Sequence, residues 1–542
     1  MVVAACGGGG GTSDTTSSGS TVPEGKPVVG GEVVYALEAE SDDGWCLPEA
    51  QLAIAGIQVA RTIYDYLAVP NSDGTVEPFL AKSLVPNADA TEWTITLREG
   101  IKFHDGSDLT AEVVKNNLDA YRGKYKPPRS PLLFVFVFSN IDTVSVVDPL
   151  TVSVKMKKPW AAFDSFLFGS GRIGIVAQAQ LDSVDHCNDQ MIGTGPFKFE
   201  GDWVQNDHLT LVKNENYWRK DADGVQLPYL DKITYKPVVE TSALVSGIQT
   251  GQYTMAHTDT AEGIAALRLS VESGDISMVE SDKFPEVTYT LLNNSKEPFN
   301  NINARFAYAH AMNFDELNIV RNEGLPQRAT GPFGPGVMGY LPDQKLPAFD
   351  LDLAKEYVAK YTAETGKPLE FSLYSTPDAA SVDTATLAKS YLEKAGMKVE
   401  IQTALQANYI DVAIGGDFQA MGWRNHPGFD PDTEYVWWYS PGNPVNFARF
   451  ADTEVSRLLD EGRSETDPAK RKAIYEELNV RFNEQQLNIW GFYSLWGIPG
   501  APNVRGVFGP NLPTADSPDA VGSSPFDGLA VGHDMSGVWL AN

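Results

Sequence analysis

The sequence predicts an α/β fold, and three observations carry that prediction. From about residue 350 to 401, helical spacing alternates with short strands at the separation of parallel strand–helix–strand units. Earlier in the chain, Trp93, Ile95 and Leu97 of EWTITLREGIKF alternate with the period of a half-buried strand. The longest apolar run, Leu132 to Phe138, falls far short of the roughly 20 residues of a membrane-spanning helix. The body of the chain is therefore expected to be soluble.

Taken in order, the EWTITLREGIKF strand ends in a turn at His104-Asp105-Gly106. Thr110 then reads as an N-cap, with Val113, Val114, Leu118 and Tyr121 on one helical face. Val152, Val154 and Met156 alternate as a strand, as do Leu209 with Leu211, Ile233 with Tyr235, and Val287 to Asn293. Ala304 to Asn313 has helical spacing. Asp352 reads as the cap of a helix carrying Leu353, Tyr357 and Tyr361. Leu369, Phe371 and Leu373 form a strand, a helix with Leu387, Tyr391 and Leu392 stops at Gly396, and Val399 and Ile401 follow as the next strand. Asp467-Pro468 places an N-cap before an N1 proline, and Ile474, Leu478 and Phe482 give that helix its buried stripe. The last fifty residues are rich in Pro and Gly and predict irregular chain.

Composition narrows the function. With 42% apolar and 21% charged residues the chain has material for a large core and is not a solvated polymer. A formal net charge of −29 argues against nucleic acid or polyphosphate partners, which need clustered Lys and Arg. Catalytic signatures fail one by one. HExxH, GxSxG and GxxxxGK[ST] do not occur. Two stretches satisfy GxGxxG, at Gly169 to Gly174 and Gly334 to Gly339; the second runs into Tyr340-Leu341-Pro342 and neither has the strand-and-helix context of a dinucleotide site. Asp221-Ala-Asp223-Gly224 lacks the later ligands of a calcium loop and reads as a solvated turn. The seven His are scattered, and no CxxC or His pair has metal-ligand spacing. No enzyme activity, metal or cofactor is expected.

The chain opens MVVAACGGGGGTSDTTSSGS. Val3-Ala4-Ala5-Cys6-Gly7 resembles a bacterial lipoprotein cleavage box without its charged and apolar leader. Residues 1–29 then comprise the remnant of that box and a Gly/Ser/Thr tether, with lipid on Cys6. Cys46 and Cys187 are an even pair in an exported chain, where oxidation is permitted.

Several segments in order resemble the family 5 extracellular solute-binding proteins of ATP-driven importers, a group that includes oligopeptide- and dipeptide-binding proteins. They are Leu80-Ala-Lys-Ser with Trp93 to Ser107 and Leu109-Thr-Ala-Glu; Gly193-Thr-Gly-Pro-Phe197 leading to Asn214-Glu-Asn-Tyr-Trp218; Pro228 to Ile233 with Ala243 to Gly251; and Asn303 to Asn313. The likeness continues through Asp430-Pro431-Asp432 and Asp452 to Asp460. It implies a two-lobed type II periplasmic-binding-protein-like fold with three domains and an interlobe ligand cleft. On this chain the core domain of the first lobe would comprise 30–65, 190–290 and 495–542, its inserted domain 66–189, and the second lobe 291–494. The hinge would cross near Leu291–Asn293 and Phe492–Leu495. Cys46 and Cys187 then fall at the two boundaries of the insert, which predicts a disulfide between them. Gly106 and Gly195 would permit tight turns, and His104 would satisfy a local hydrogen bond.

The resemblance also implies the site. In peptide-binding relatives a Gly-Trp segment lines the cleft, and an Asp four residues before a later Pro binds the ligand's amino terminus. Gly422-Trp423 matches the Gly-Trp, but the position four before Pro431 is Pro427. Asp430 is a possible substitute carboxylate. Arg424, Asn425 and His426 offer a donor-rich set suited to oxygen acceptors. Trp423 reads as cleft wall or as core, and Arg424 as ligand contact or as surface. Trp437, Trp438, Tyr439, Asn443 and Asn446 fit stacking on a sugar or apolar side chain and fit packing equally well. On the opposite wall, the Glu38 to Asp43 segment with Glu40, and nearby Trp45, approach the ligand. The function implied is an extracytoplasmic, lipid-anchored, monomeric receptor on the outer face of the bacterial cytoplasmic membrane. It would bind a peptide or peptide-like solute and pass it to an ABC permease. An oligosaccharide or other non-peptide solute is the alternative within the class, and a secreted hydrolase the alternative outside it.

Overall fold

Three sheets of four or more strands organise the described residues. A computed structural model describes residues 25–40, 44–50, 52–129, 134–425, 428–514 and 522–542; Cys6, His426 and Pro427 lie outside them. The first sheet has seven strands in the spatial order Ser277–Ser281, Trp496–Gly500, Met255–Ala256, Glu32–Leu37, Lys232–Pro237, His208–Lys213 and Phe197–Val204. Glu32–Leu37 runs parallel to both of its neighbours, with Leu37 beside Pro237 and Ala36 beside Ala256. The second sheet orders Lys398–Thr403, Glu370–Ser375, Ala420–Asn425, Val287–Leu292 and Asn488–Tyr493. Its first three strands are parallel to one another. A four-stranded antiparallel sheet of Ala81–Pro86, Glu92–Leu97, Thr151–Met156 and Ile141–Asp148 belongs to the segment read as an insert.

The chain passes from the first sheet to the second between Ser281 and Val287, and returns between Tyr493 and Trp496. The outward crossing therefore precedes the expected Leu291–Asn293, because Val287 already pairs with both Asn425 and Tyr493 in the second sheet.

Local chemistry fixes the helix starts. The Thr110 side chain accepts from Val113 N–H and opens Ala111–Tyr121, which buries Val114, Leu118 and Tyr121. Asp467 accepts from the N–H groups of Ala469 and Lys470, each at 3.0 Å, and Pro468 stands at the first position of the helix that follows. Asp352 is not a cap. Asp350 takes that role, accepting from Leu353 N–H at 2.9 Å, and the helix Leu351–Thr365 starts two residues earlier. Asp352 instead stands in the first turn, where a carboxylate suits the helix dipole. The expected helix at 304–313 runs Ile302–Ala311 under an Asn301 cap. Asp221 accepts from the N–H groups of Asp223 and Val225 and so closes a turn.

Cys46 and Cys187 are joined by a disulfide with their Cα atoms 5.0 Å apart. The Asn188 carbonyl accepts from Trp45 N–H beside it, and the Asn188 side chain from Cys46 N–H. Gly106 has φ +85°, the left-handed region a turn requires. Gly195 does not. It and Gly193 are small because the backbone at Ile63 passes against them: a Cβ on Gly193 would sit 2.0 Å from the Ile63 carbonyl oxygen, and one on Gly195 2.6 Å from it. Gly193→Ala is accordingly expected to destabilise the protein by at least about 2 kcal/mol in urea unfolding, because backbone on both sides must shift.

His104 lies in the same place. Gly193 N–H donates to Nδ1, so Nε2 carries the proton and donates to the Gly195 carbonyl at 3.0 Å. Burial lowers its pKa to about 4, and burial also takes His533, whose ring nitrogens meet the Tyr35 hydroxyl and the Val507 carbonyl, to about 3. Both fold neutral and unfold into a form that binds a proton near pH 6.5. The contribution of each is whole above pH 6.5; that of His104 is lost as pH falls towards 4 and that of His533 as it falls towards 3. Buried carboxyls such as Glu286 and Glu434, raised by burial, titrate with the opposite sign over much of this range, so the histidine part is read as a difference: the urea midpoint of His104→Gln relative to the unaltered protein should rise as pH falls from 6.5 to 4.

Candidate functional site

Parallel strands leave their carboxyl ends along one edge of a sheet, and open α/β sheets bind ligands in the crevice beyond that edge. Here two such edges face each other. In the first sheet, the residues that follow Leu37 and Ala256 are Glu38 and His257-Thr258-Asp259. In the second, Arg424 and Asn425 end the Ala420–Asn425 strand, at the edge where Val287 and Tyr493 meet the two crossings.

An ion pair spans the crevice. Arg424 Nη1 lies 2.8 Å from Asp259 Oδ2 and 3.4 Å from Glu286 Oε2. Glu286 stands on the outward crossing and is fully buried; burial raises its carboxyl to about 7, against the opposing pull of Arg424. The Glu286 charge in turn is the largest influence holding the Arg424 guanidinium charged. Behind Asp259, His257 is buried, stacks on Trp496 at 4.2 Å and faces Glu38 Oε2 at 3.4 Å through Nδ1. Arg172 of the insert gives both Nε and Nη2 to the Leu52 carbonyl. Asn425 accepts from the Tyr289 hydroxyl and donates to Glu434 Oε2 at 2.8 Å. Burial raises Glu434 to about 8. Asn425 and Glu434 line a cavity of about 10 Å³ with Pro285, Val287, Phe333 and Gly428.

The strand period separates residues that the sequence reading grouped. Successive side chains point to opposite faces, so Trp423 shares a face with Asn425, and Arg424 with Gly422. Trp423 is half-buried, stacked on Tyr409 with centroids 6.0 Å apart and edge-on to Phe447 at 5.5 Å. Gly422 is exposed, and its carbonyl accepts from the Tyr409 hydroxyl at 2.8 Å.

Other candidates are structural. Asp430 does not stand in for the missing Asp: both of its oxygens are taken by Arg471 at 2.6 Å, and it caps the turn at Asp432 N–H. Trp45 is buried edge-on against Trp203 and holds a core position. With Glu40 it lines a separate cavity of about 20 Å³ that includes Leu37, Val59 and Tyr235. Glu40 accepts from Asn206 N–H at 2.8 Å. Trp438 packs on Phe482, while Asn443 and Asn446 donate to the carbonyls of Val436 and Phe450. The carboxylates Asp259 and Glu286, absent from the sequence reading, complete the site. They lie 27 residues apart and carry no motif; their only signal is position, just past a strand and just before one.

Among the described residues, no group of His, Cys, Asp and Glu could hold a metal ion, and no helix is long and apolar enough to cross a membrane. The model of the bacterial extracellular solute-binding proteins, family 5 middle region, matches residues 75–447. The chain belongs to that family. Solute-binding proteins of family 5 serve ABC importers, and this one is 28% identical over 441 residues to the glutathione-binding protein GsiB of Salmonella paratyphi A, covering 77% of this chain and 81% of GsiB. Its fold is that of the periplasmic binding protein DppA from Helicobacter pylori, solved with the peptide STSA. The TM-score is 0.80 and the identity 22%, over 95% of this chain and 99% of DppA. AgaA from A. tumefacien R10, solved with agropinic acid, matches equally at TM-score 0.80 and 24% identity, over 94% and 99% of the two chains. The family 5 protein therefore has the two-lobed α/β fold of periplasmic binding proteins, with the crevice between its lobes.

Proposed function

We propose that this family 5 protein is the extracytoplasmic receptor of an ABC import system, tethered by lipid on Cys6, and that it encloses a peptide or peptide-like solute in the crevice and delivers it to the permease. The observation that supports the reading is the meeting of strand carboxyl ends from both lobes at Arg424, Asp259 and Glu286. Trp423, on the other face of the same strand, supplies an aromatic wall. Asp259 places a carboxylate beside the Arg424 guanidinium, and it offers a ligand ammonium a partner there although position 427 is Pro. That acid departs from the donor-rich site expected from Arg424, Asn425 and His426. A second reading, a non-peptide solute of the same receptor class, draws on Pro427 and on the agropinic acid with which AgaA was solved.

A thermal-shift screen separates the two. Glutathione, short peptides with free or blocked amino termini, and agropinic acid would be tested in turn. A ligand at about 100 times its Kd is expected to stabilise the fold by about 2.7 kcal/mol. Peptides giving the largest shift, with free or blocked amino termini, support the first reading; a shift from agropinic acid alone supports the second; no shift from any class counts against both. For the anchor, labelled fatty acid should enter protein expressed from the full gene and not Cys6→Ala; equal labelling of both would remove the lipid.

A further inference from the structure

The insert touches the second lobe through a buried polar group that includes no residue of either crossing. Trp160 follows the Thr151–Met156 strand of the insert and is wholly buried. Its Nε1–H donates to Asp432 Oδ2 at 2.7 Å. Asp432, also buried, accepts from Arg463 Nε at 2.8 Å and Nη2 at 3.1 Å. The Arg463 guanidinium lies over the Trp160 ring at 4.4 Å and over Tyr435 at 3.5 Å. One backbone bond crosses the same boundary, from Ala161 N–H to the Arg463 carbonyl at 2.8 Å. Around it Phe136 stacks on Tyr435 at 6.4 Å, and Phe168 meets Phe429 at 6.1 Å.

We infer that Trp160, Asp432 and Arg463 form a latch that holds the cleft closed, made and broken with each cycle of ligand entry and release. The disulfide Cys46–Cys187 ties the insert's boundaries to the first lobe, so a hinge motion at 281–287 and 493–496 pulls Trp160 away from Asp432. The chemistry suits a reversible contact. Asp432 and Arg463 both belong to the second lobe and stay paired when the insert leaves, so opening strands no unpaired charge; it exposes an ion pair, which water solvates, the Trp160 indole and the aromatic contacts of Phe136 and Phe168. Closing restores a hydrogen bond to a charged acceptor and a stacked guanidinium, both stronger out of water. The inference rests on reading the crevice as the ligand cleft.

Hydrogen exchange of the ligand-free full chain tests it. The Ala161 amide is paired across the boundary, whereas amides of the Thr151–Met156 strand are paired within the insert. Opening exposes the first and leaves the second, so Ala161 is expected to exchange well before that strand. Trp160→Phe keeps the ring and removes the donor; it should speed exchange at Ala161 by about tenfold, equivalent to about 1.4 kcal/mol, with the Thr151–Met156 amides unchanged. Ala161 exchanging together with that strand in the unaltered protein would mean that the boundary does not open, and would overturn the latch. A Trp160→Phe protein in which both sets of amides accelerate equally, or neither does, would overturn it too. None of these readings needs a ligand, so a failed latch leaves the receptor proposal standing, and a failed ligand screen leaves the exchange result intact.

Discussion

Asp430→Ala is expected to cost about 3–5 kcal/mol of folding stability, the range for removing one partner of a buried ion pair. The guanidinium of Arg471 sits in the core beside Tyr475 and reaches Asp430 through Nη1 and Nη2, both at 2.6 Å; its Nε donates to the Gly462 carbonyl. Without the carboxylate, two of its nitrogens lose their partner in a largely buried site. Asp430 also closes the turn at Asp432, so the loss spreads towards the latch residues. Urea unfolding measures the cost. Asp430→Ala combined with Arg471→Met should recover most of it, because the uncompensated charge is then gone. A single variant of normal stability but weakened ligand binding would return Asp430 to the site.

The second large effect is expected from the disulfide. Cys46 and Cys187 are separated by 141 residues, and opening so long a loop frees chain entropy in the unfolded state. Replacing both by Ala should lower stability by about 2–5 kcal/mol, visible as a lower urea midpoint. Because the bond joins the two boundaries of the insert, the loss should also raise protease sensitivity at residues 183–190. Unchanged stability under reducing and oxidising conditions alike would mean that the cystine contributes nothing.

Much of the fold is legible in the sequence because its signals are local. Thr110 and Asp467-Pro468 announce helices that form where they stand, and the alternation at Trp93, Ile95 and Leu97 is met by a strand. Asp350 and Asp352 show the limit of such signals: either can cap a helix, and where the chain turns in decides between them. Gly195 is a glycine for a reason no turn pattern displays, the approach of Ile63 from over a hundred residues away.

The site is less legible for a similar reason. The Gly-Trp pair points to the right strand, but the partners that define the chemistry are distant. Arg471 claims Asp430 from 41 residues along, and Asp259 and Glu286 reach Arg424 only because two sheets present their edges to each other. Without the Ala420–Asn425 strand in view, Trp423 and Arg424 read as neighbours on one surface. The strand period turns them to opposite faces, which makes one a wall and the other a bridge between lobes.

The placement of the solute between the lobes is tested most directly by native mass spectrometry of gently purified protein, compared with Trp423→Ala. One small molecule per chain is expected on the unaltered protein, released on mild denaturation and absent from a Trp423→Ala protein that remains folded. A bare unaltered protein, or an adduct that Trp423→Ala retains in full, would contradict a binding site in this crevice.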